Sequence, residues 1–280
     1  MKFTKMHGLG NDYLYVFGEV PEDIRELSVK LSDRHFGAGS DGMIYISPSE
    51  TADFKMRIFN ADGSEAMMCG NGIRCVGKYV YEKGYTNKTE LEIETLSGIK
   101  QLKLKVEYNK VKEVTVDMGV TVASNDLVLT ALSGEYKHDN FIFEDVICTP
   151  VSVGNPHAVF FVQDAEAVPL SEIGPAVEHY EAFPGGVNAE FVQQIKANEL
   201  RMRVWERGSG ITMACGTGAC ASAAAAVRKG FCEYNTPIAV HLDGGVLTIC
   251  VEKDGSVEMT GPAEFVYDAE YPVRTKEPEQ

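Results

Sequence analysis

The sequence predicts an α+β protein of two homologous halves, each a curled, barrel-like mixed or antiparallel sheet around a central helix. The first observation is a repeated motif, because Cys-Gly-Asn-Gly at 69–72 returns as Cys-Gly-Thr-Gly at 215–218. The second is an offset of 146 residues, which separates Cys69 from Cys215 and also Gly84 from Gly230. The third is the alternation of Val, Leu, Ile and Lys within residues 91–118, after the first motif, which is typical of strands with one face exposed to water.

The same offset extends to other glycines, since Gly8 pairs with Gly154 and Gly98 with Gly244. A repeat of this length indicates duplicated domains rather than a solenoid. At about 150 residues per domain, a chain of 280 residues also predicts two domains. We expect halves at 1–118 and 119–264, with 265–280 returning to the first half and the active site in the cleft between the halves.

Composition excludes several classes of function. The net charge of −15 and the lack of a basic run argue against nucleic acid as a partner. The longest run of small apolar residues, 219–227, is too short to span a bilayer, so no membrane partner is expected. Seven cysteines, an odd number, and an N-terminus without an apolar stretch predict a cytoplasmic protein with reduced thiols.

Apolar periodicity predicts two helices in the first half. Apolar residues at helical spacing place one helix within 21–35 and another at 70–83. Gly84 suits the end of the second helix, because glycine adopts the left-handed conformation that closes helices. Alternating patterns predict strands on either side of a glycine-rich turn at 8–12 and further strands along the half, at 13–17, 43–47, 54–59, 91–95, 101–108 and 111–118.

The second half repeats this order. Helices are predicted at 170–179 and 217–229. Nearly every residue of 219–226 is small, which lets neighbouring backbones approach, so this helix is expected in the middle of the curled sheet. Strands are predicted at 141–148, 158–162, 191–195, 200–206, 238–242, 246–252 and 257–260.

A cysteine that opens a helix has distinctive chemistry. The first backbone N–H groups of a helix are unpaired and its N-terminal end is positive, so a thiolate there is stabilised. The Gly-x-Gly step lets an anion reach those N–H groups. Two such cysteines suit a reaction in which a thiolate removes a proton from one face of a carbon and a thiol delivers one to the other. Cys69 and Cys215 are therefore the candidate acid/base residues.

The motifs together resemble the diaminopimelate epimerase family. The matching segments follow one another in family order and cover nearly the whole chain: 5–12, 59–65, 69–72, 154–157, 187–191 and 205–220. The resemblance implies the fold of that family and an epimerase of lysine and peptidoglycan-precursor synthesis. It would interconvert LL- and meso-diaminopimelate without a cofactor or a metal, and the family suggests a homodimer.

The resemblance also implies roles for individual residues. Cys69 and Cys215 would exchange the protons, and His157 and Glu206 would tune their protonation. The reacting amino-acid end would be held by Asn11 and by the two helix starts, Gly70, Asn71, Gly216 and Thr217. The distal end of the substrate would be read by Asn60, Asn155, Asn188 and Arg207. An arginine pairs well with a distal carboxylate, and asparagines offer both donors and acceptors.

Three residues depart from the family pattern and leave the substrate range open. Gly42 stands where many members have glutamine, and Ile211 and Met213 stand where more polar or differently shaped residues are common. A related racemase for another amino acid is therefore an alternative. A zinc-binding or redox protein is a remote one, because the spacings of Cys69 to Cys75 and of Cys215 to Cys220 match neither a zinc site nor a thioredoxin-like motif.

Two thiols that reach one carbon should also be able to reach each other. We expect air oxidation of the substrate-free protein to join Cys69 and Cys215 in a disulfide and to abolish activity. Dithiothreitol should restore it. Peptide mapping under non-reducing conditions identifies the bond, and activity that survives oxidation would contradict a close approach of the two sulfurs.

Overall fold

A computed structural model of the chain describes residues 1–129, 137–138, 141–142 and 147–272. Part of the strand predicted at 141–148 and the last residues, 273–280, lie outside this range. The chain divides into two compact units, Met1–Lys112 with Ala263–Gln280, and Glu113–Pro262. The sequence predicted boundaries between the halves after residue 118 and after residue 264. These boundaries remain predictions.

In its described residues, the first unit contains two helices, nine and thirteen residues long, and eight strands. The helices are α1 (Ile24–Ser32) and α2 (Gly70–Glu82). The strands are β1 (Lys2–Gly8), β2 (Asn11–Phe17), β3 (Gly42–Pro48), β4 (Phe54–Asn60), β5 (Glu65–Ala66), β6 (Glu90–Thr95), β7 (Gly98–Glu107) and β21 (Glu264–Glu270).

The strands of the first unit form a mixed sheet in the order β21-β1-β2-β3-β4-β6-β7. Both β21 and β2 pair with β1 antiparallel, and β3 lies parallel to β2. The next pairs alternate, with β4 antiparallel to β3, β6 parallel to β4 and β7 antiparallel to β6. The short strand β5 extends the same edge of β4 beyond β6. Parallel neighbours need crossover connections, which the chain supplies as α1 and α2.

The described part of the second unit also has two helices, α3 (Leu170–Glu178) and α4 (Gly216–Arg228). β8 (Lys110–Val120) starts before the unit boundary, and its paired residues lie after it. The remaining strands are β9 (Val122–Ala123), β10 (Leu127–Val128), β11 (Lys137–His138), β12 (Phe141–Ile142), β13 (Ile147–Ser152), β14 (Pro156–Phe161), β15 (Asn188–Lys196), β16 (Glu199–Glu206), β17 (Gly210–Ile211), β18 (Ile238–Leu242), β19 (Gly245–Val251) and β20 (Ser256–Gly261).

The sheet of the second unit runs β13-β14-β15-β16-β18-β19-β20-β8. Its pairs are antiparallel, parallel, antiparallel, parallel and antiparallel from β13 to β19, which is the succession seen from β1 to β7. The pairs β19–β20 and β20–β8 continue it antiparallel, and β9 and β10 flank β13. The predicted duplication is therefore present in the topology of each unit.

Two of the four glycine landmarks shift by one or two residues. Gly8 lies in a strand, whereas Gly154 shares its turn position and its φ of 87° with Gly10. Gly98 and Gly245, rather than Gly244, close the equivalent hairpins opposite Thr95 and Leu242. The offset is therefore 144 at the first hairpin (10 to 154) and 147 at the later one (98 to 245), because the connections between equivalent elements differ in length.

The longer helix of each unit lies inside the curl of its sheet, as predicted. α4 contacts seven strands, namely β13, β14, β15, β16, β18, β19 and β20, and α2 contacts β1, β2 and β7. Small side chains make this possible in α4, where Ala221, Ala223, Ala225 and Ala226 have no exposed surface. Cys75 and Cys220 are likewise buried within the two helices, where they pack as small apolar side chains.

Both central helices end in the same hydrogen-bond motif. Gly84 and Gly230 take φ values of 79° and 76°, which a residue with a side chain rarely adopts. The N–H of Tyr85 reaches the carbonyl of Val80, and that of Gly84 reaches Tyr81. Phe231 and Gly230 repeat the pair of bonds at the end of α4. This arrangement satisfies carbonyls that the helix itself leaves unpaired.

The shorter helices cover the other face of each sheet. In the first unit a cluster that includes Leu14, Met43 and Phe59 packs beneath Ile24 and Leu31 of α1. In the second unit α3 covers the stacked rings of Phe160 and Phe191, whose centroids lie 5.0 Å apart. The central strands β2, β3, β14 and β15 are thus buried on both faces, whereas outer strands such as β6 and β7 keep one exposed face.

The prediction missed β21 and the short strands. β21 pairs with β1, yet its seven residues alternate poorly between buried and exposed positions, so no periodic signal marks them. Two-residue strands such as β5 and β17 are defined by their partners rather than by sequence.

Within the described part of the chain, the helices fall short of the length and apolar character that a membrane crossing demands.

Packing between α3 and β16 offers a stability test. A Cβ on Gly174 would lie 2.4 Å from Trp205 Cδ2 and 2.7 Å from Trp205 Cβ, whereas a Cβ on Gly185 would meet no atom within 4 Å. We expect Gly174→Ala to lower the free energy of unfolding by about 1–3 kcal/mol through overpacking. Gly185→Ala is the matched control. Trp205 is the only tryptophan, so urea unfolding can be followed by its fluorescence. Equal midpoints for the two variants would contradict the tight contact.

Candidate active site

Each candidate cysteine caps the N-terminus of a central helix with its own sulfur. Cys69 and Cys215 precede α2 and α4 in extended conformations, with φ of −138° and −113°. Their Sγ atoms accept the N–H groups of Gly72 and Gly218, each at 3.3 Å. The thiols therefore take the position that Ser or Asp occupies in most helix caps. The same bond stabilises a thiolate more than a thiol, because a charged acceptor strengthens it.

The glycines of the motif are required by contact as well as by ligand access. A Cβ on Gly218 would lie 2.8 Å from Glu190 Oε1, and one on Gly72 would lie 2.7 Å from Ile44 Cδ1. Since Gly218 and Ala219 bond back to Cys215, the N–H groups of Gly216 and Thr217 remain without an acceptor among the described residues. Two adjacent N–H donors at a helix start suit a carboxylate.

In the first unit, Cys69 is held by a network that fixes Asn11. The thiol donates to Asn11 Oδ1 at 3.4 Å, and Asn11 Nδ2 donates to Asp41 Oδ2 at 2.8 Å. A carboxylate only accepts, so Asp41 turns the amide nitrogen towards itself and leaves the amide oxygen for the thiol. Arg34 bonds both Asp41 and Asp12 at 2.9 Å, which anchors the carboxylates.

The acidic groups around Asn11 respond differently to their surroundings. Burial raises the pKa of Asp41, and backbone and side-chain hydrogen bonds only partly offset this. Burial also raises the pKa of Asp12, but hydrogen bonds from Arg34 and Lys5 outweigh it, so the net pKa is lowered. Tyr13, buried beside Cys69, has its pKa raised well above the ordinary value, first by burial and then by Cys69 and Asp41.

In the second unit, Cys215 lies in a more buried and more acidic setting. Only 4% of its surface is exposed, whereas Cys69 is half-buried. Burial raises the pKa of the Cys215 thiol well above its usual value, and the charges of Glu206 and Glu190 add to this. Burial also raises the pKa of Glu206, against hydrogen bonds from Thr212 and Cys215. The thiol form of Cys215 is thus favoured.

A chain of hydrogen bonds connects Cys215 to His157. Cys215 Sγ lies 3.5 Å from Thr217 Oγ1, which accepts from Asn155 Nδ2 at 3.3 Å. Asn155 Oδ1 lies 3.0 Å from His157 Nε2, and His157 Nδ1 lies 2.7 Å from Glu190 Oε1. His157 and Glu190 have no exposed side-chain surface. The predicted residues His157, Asn155, Thr217 and Cys215 are therefore brought together, although no role was predicted for Glu190.

The residues expected at the distal end of the substrate form smaller groups. Asn188 Oδ1 accepts the backbone N–H of Arg207 at 2.8 Å, and Asn188 Nδ2 donates to the Pro156 carbonyl at 3.2 Å. The exposed Arg207 side chain donates to the Gly185 carbonyl at 3.1 Å. In the first unit, Asn60 donates to Ser64 Oγ at 3.0 Å. Arg207 keeps most of its donors for solvent or a ligand.

Sequence reasoning missed Asp41, Tyr13, Thr212 and Glu190 as members of these networks. Glu190 had a detectable signal, because it is an acid between the apolar residues Ala189 and Phe191, immediately before the strand predicted at 191–195. Asp41 and Thr212 lie in loops, where polar residues are expected for other reasons.

Among the residues that the structure describes, no group of three His, Cys, Asp or Glu side chains is arranged to hold a metal ion.

The three departures from the family pattern have different structural consequences. A Cβ on Gly42 would lie 2.2 Å from the Phe59 carbonyl and 2.9 Å from Asn60 Cα, so this backbone leaves no room for a side chain there. Ile211 and Met213 are 48% and 51% exposed, close along the chain to Cys215. They give this edge of the second unit an apolar surface.

The charge of Glu206 can be tested through the reactivity of Cys215. Glu206→Gln should lower the pKa of the Cys215 thiol, because it removes a neighbouring negative charge. At a fixed pH near neutrality, more thiolate should form and iodoacetamide should alkylate Cys215 faster, as measured by mass spectrometry of its peptide. Glu181→Gln, which changes an exposed glutamate, is the matched control. An unchanged or slower rate in Glu206→Gln would show that Glu206 does not control this thiol.

The family model described as diaminopimelate epimerase matches residues 3–123 and 149–266. A diaminopimelate epimerase of Acetivibrio thermocellus is 50% identical over 277 residues, covering 96% of this chain and 98% of its own. One of Bacillus licheniformis is 51% identical over 278 residues, covering 96% and 98%.

A solved structure shows the same fold at low sequence identity. The phenazine biosynthesis protein of Bacillus anthracis, of the PhzF family, has a TM-score of 0.77 at 19% identity and covers 98% of this chain and 99% of its own. It supports the α+β fold with central helices and no more. The family model and the close relatives extend over nearly all of the sequence, including both cysteine motifs. The chain belongs to the diaminopimelate epimerase family.

Proposed function

We propose that this chain is a cofactor-independent epimerase that interconverts LL-2,6-diaminopimelate and meso-diaminopimelate. Cys69 and Cys215 would be its catalytic acid/base pair. Membership of the family supports the reaction, and the relatives at about 50% identity carry the name of that enzyme. The product would enter lysine and peptidoglycan-precursor synthesis. We further propose that the enzyme works in the cytoplasm as a homodimer and uses neither a cofactor nor a metal.

One observation carries the mechanism: two cysteines cap two equivalent thirteen-residue helices, each with its sulfur 3.3 Å from the N–H of a motif glycine. A single cap of this kind would suit a nucleophile or a redox thiol. A matched pair suits two-base chemistry, because the reaction requires the same group on each face of the reacting carbon. Neither sulfur needs a covalent bond to the substrate.

The proton balance is simple. One cysteine, as a thiolate, removes the α-proton and becomes a thiol. The electron pair left on carbon spreads into the substrate carboxylate. The other cysteine, as a thiol, gives its proton to the opposite face and becomes a thiolate. The stereocentre is inverted, and the enzyme returns with the two protonation states exchanged. The raised pKa of Cys215 suits it to begin as the thiol when Cys69 removes the proton.

The helix starts would hold the charge that develops. Gly216 and Thr217 in one unit, and Gly70 and Asn71 in the other, provide N–H groups at positive helix ends. Such donors stabilise an enediolate more than a carboxylate when they are already in place, which lowers the barrier. Asn11 would position the α-amino group, since its amide is oriented by Asp41.

The distal end of the substrate carries a second amino group and a second carboxylate. We propose that Arg207 pairs with that carboxylate, while Asn60, Asn155 and Asn188 read the amino group and the configuration. Asn188 already accepts the Arg207 N–H, so the two would act as one recognition unit. His157 and Glu206 would tune the protonation of the thiols through the contacts around Cys215.

Solvent-deuterium exchange tests the two-base mechanism. In D₂O, the wild-type protein should invert the α-carbon of LL-diaminopimelate and place one deuterium on it. Cys69→Ala and Cys215→Ala should each lower the rate of epimerisation by about 100-fold or more, because each removes one proton-transfer group. Nuclear magnetic resonance and chiral chromatography measure the two quantities.

The matched control is Cys250→Ala, which changes a half-buried cysteine outside both motifs. Its rate should equal that of the wild type. Epimerisation that is retained in either Cys69→Ala or Cys215→Ala would contradict the two-base mechanism. Turnover of amino acids that lack a distal carboxylate at the rate of diaminopimelate would instead favour a racemase of another specificity.

A further inference from the structure

Glu190 is a buried carboxylate that the proposed mechanism does not yet use. It lies on β15 between Ala189 and Phe191 and has no exposed surface. Its Oε1 faces the start of α4, where a Cβ on Gly218 would come within 2.8 Å of it. Nothing in the packing of a sheet requires an acid at this position, and burying one is costly.

The first unit provides an internal comparison. By strand register and helix contact, Ile44 occupies the place of Glu190, since it faces Gly72 as Glu190 faces Gly218. Ile44 is fully buried and apolar. The duplicated scaffold thus folds with a branched aliphatic side chain here. A carboxylate beneath only one of the two helix starts indicates a role beyond packing.

The charge of Glu190 has one partner in contact. His157 Nδ1 lies 2.7 Å from Oε1, and Oε2 has no hydrogen-bond partner among the described residues. A buried carboxylate without a compensating charge would be strongly destabilising. A carboxylate oxygen only accepts hydrogen bonds, so the contact at 2.7 Å places a proton on Nδ1 of the ring.

The second ring nitrogen leads to the same protonation state. His157 Nε2 lies 3.0 Å from Asn155 Oδ1, an acceptor, while Asn155 Nδ2 is used by Thr217 at 3.3 Å. Both ring nitrogens therefore face acceptors, and a ring that donates from both is an imidazolium. Glu206 and the thiol of Cys215 also act on this cluster, and neither supplies a cation.

We propose that Glu190 is a positioning residue of the epimerase: it keeps His157 protonated and directs Nε2–H towards Asn155, which in turn is held against Thr217 beside Cys215. The proposal rests on the function proposed above. The cation of His157 offsets the negative charges of both Glu190 and Glu206 beside Cys215, and so stabilises the thiolate that Cys215 becomes after it gives up its proton. Glu190 acts through His157 and does not touch the substrate.

The first test reads the protonation of His157 directly. Nitrogen-15 correlation spectra of the substrate-free protein report whether each ring nitrogen of its six histidines carries a proton. The signal of His157 is assigned by its absence in His157→Gln. At neutral pH we expect both nitrogens protonated. A His157 with a lone pair on either nitrogen, as would follow if Asn155 presented its amide nitrogen to the ring, would overturn the proposal without any change at Glu190.

The second test removes the carboxylate. Glu190→Gln has almost the same shape and should leave His157 with one deprotonated nitrogen. Its kcat/KM should fall roughly tenfold or more, as when a carboxylate that orients a histidine is lost. Glu190→Ile, which introduces the residue of the first unit, also removes the hydrogen bond and should fall further. Glu181→Gln, at an exposed site, should match the wild type in both measurements.

The two tests separate this proposal from the proposed function. If Glu190→Gln keeps a doubly protonated His157 and the wild-type rate, Glu190 has no positioning role although epimerase activity stands. If the wild type fails to turn over diaminopimelate, the proposed function falls, and the spectrum of His157 still reports the state of the pair. Circular dichroism checks that each variant is folded before it is compared.

Discussion

The structure depends on the cap that a cysteine sulfur makes at the start of each central helix. The bond from a glycine N–H to Sγ satisfies the helix terminus and at the same time holds the sulfur at its positive end. Glycine is needed beneath the cap because Ile44 or Glu190 occupies the space of a side chain. Strands must then surround the helix, because only they can bury the surface of its small residues. The cysteine cap thus contributes both to the fold and to the proposed chemistry.

Duplication supplies two equal caps, and substitution within the repeat makes them unequal. Register places Tyr13 where the second unit has His157, and Asn60 where it has Glu206. The first cap consequently has an amide and a phenol near it, and the second has two acids and a histidine. Burial and these acids raise the pKa of Cys215. Proton exchange in both directions needs the two cysteines at equivalent positions in their units. Separate control of each thiol needs different neighbouring residues. The duplicated sequence provides both.

Much of this could be predicted from the sequence because the signals were local and periodic. The four helices were predicted to within three residues at each end, since apolar spacing, a capping cysteine and a closing glycine mark them. The equivalent residues at the hairpins were predicted less accurately, because connections between elements gain and lose residues without disturbing the sheet, as the positions of Gly10 and Gly245 show. β21 gave no signal, since its place is defined by hydrogen bonds to β1 at the far end of the chain.

The sequence by itself determined the α+β class, the duplication, the two cysteines and the family, because a motif repeated at a fixed offset can be recognised without a structure. Only the tertiary structure decided how the neighbours of those cysteines are oriented. Asp41 turns the amide of Asn11 towards Cys69, and Glu190 meets His157 across adjacent parallel strands. Those contacts join residues about 30 positions apart, and their direction depends on which atom is a donor and which an acceptor. Spacing along a chain does not carry that information.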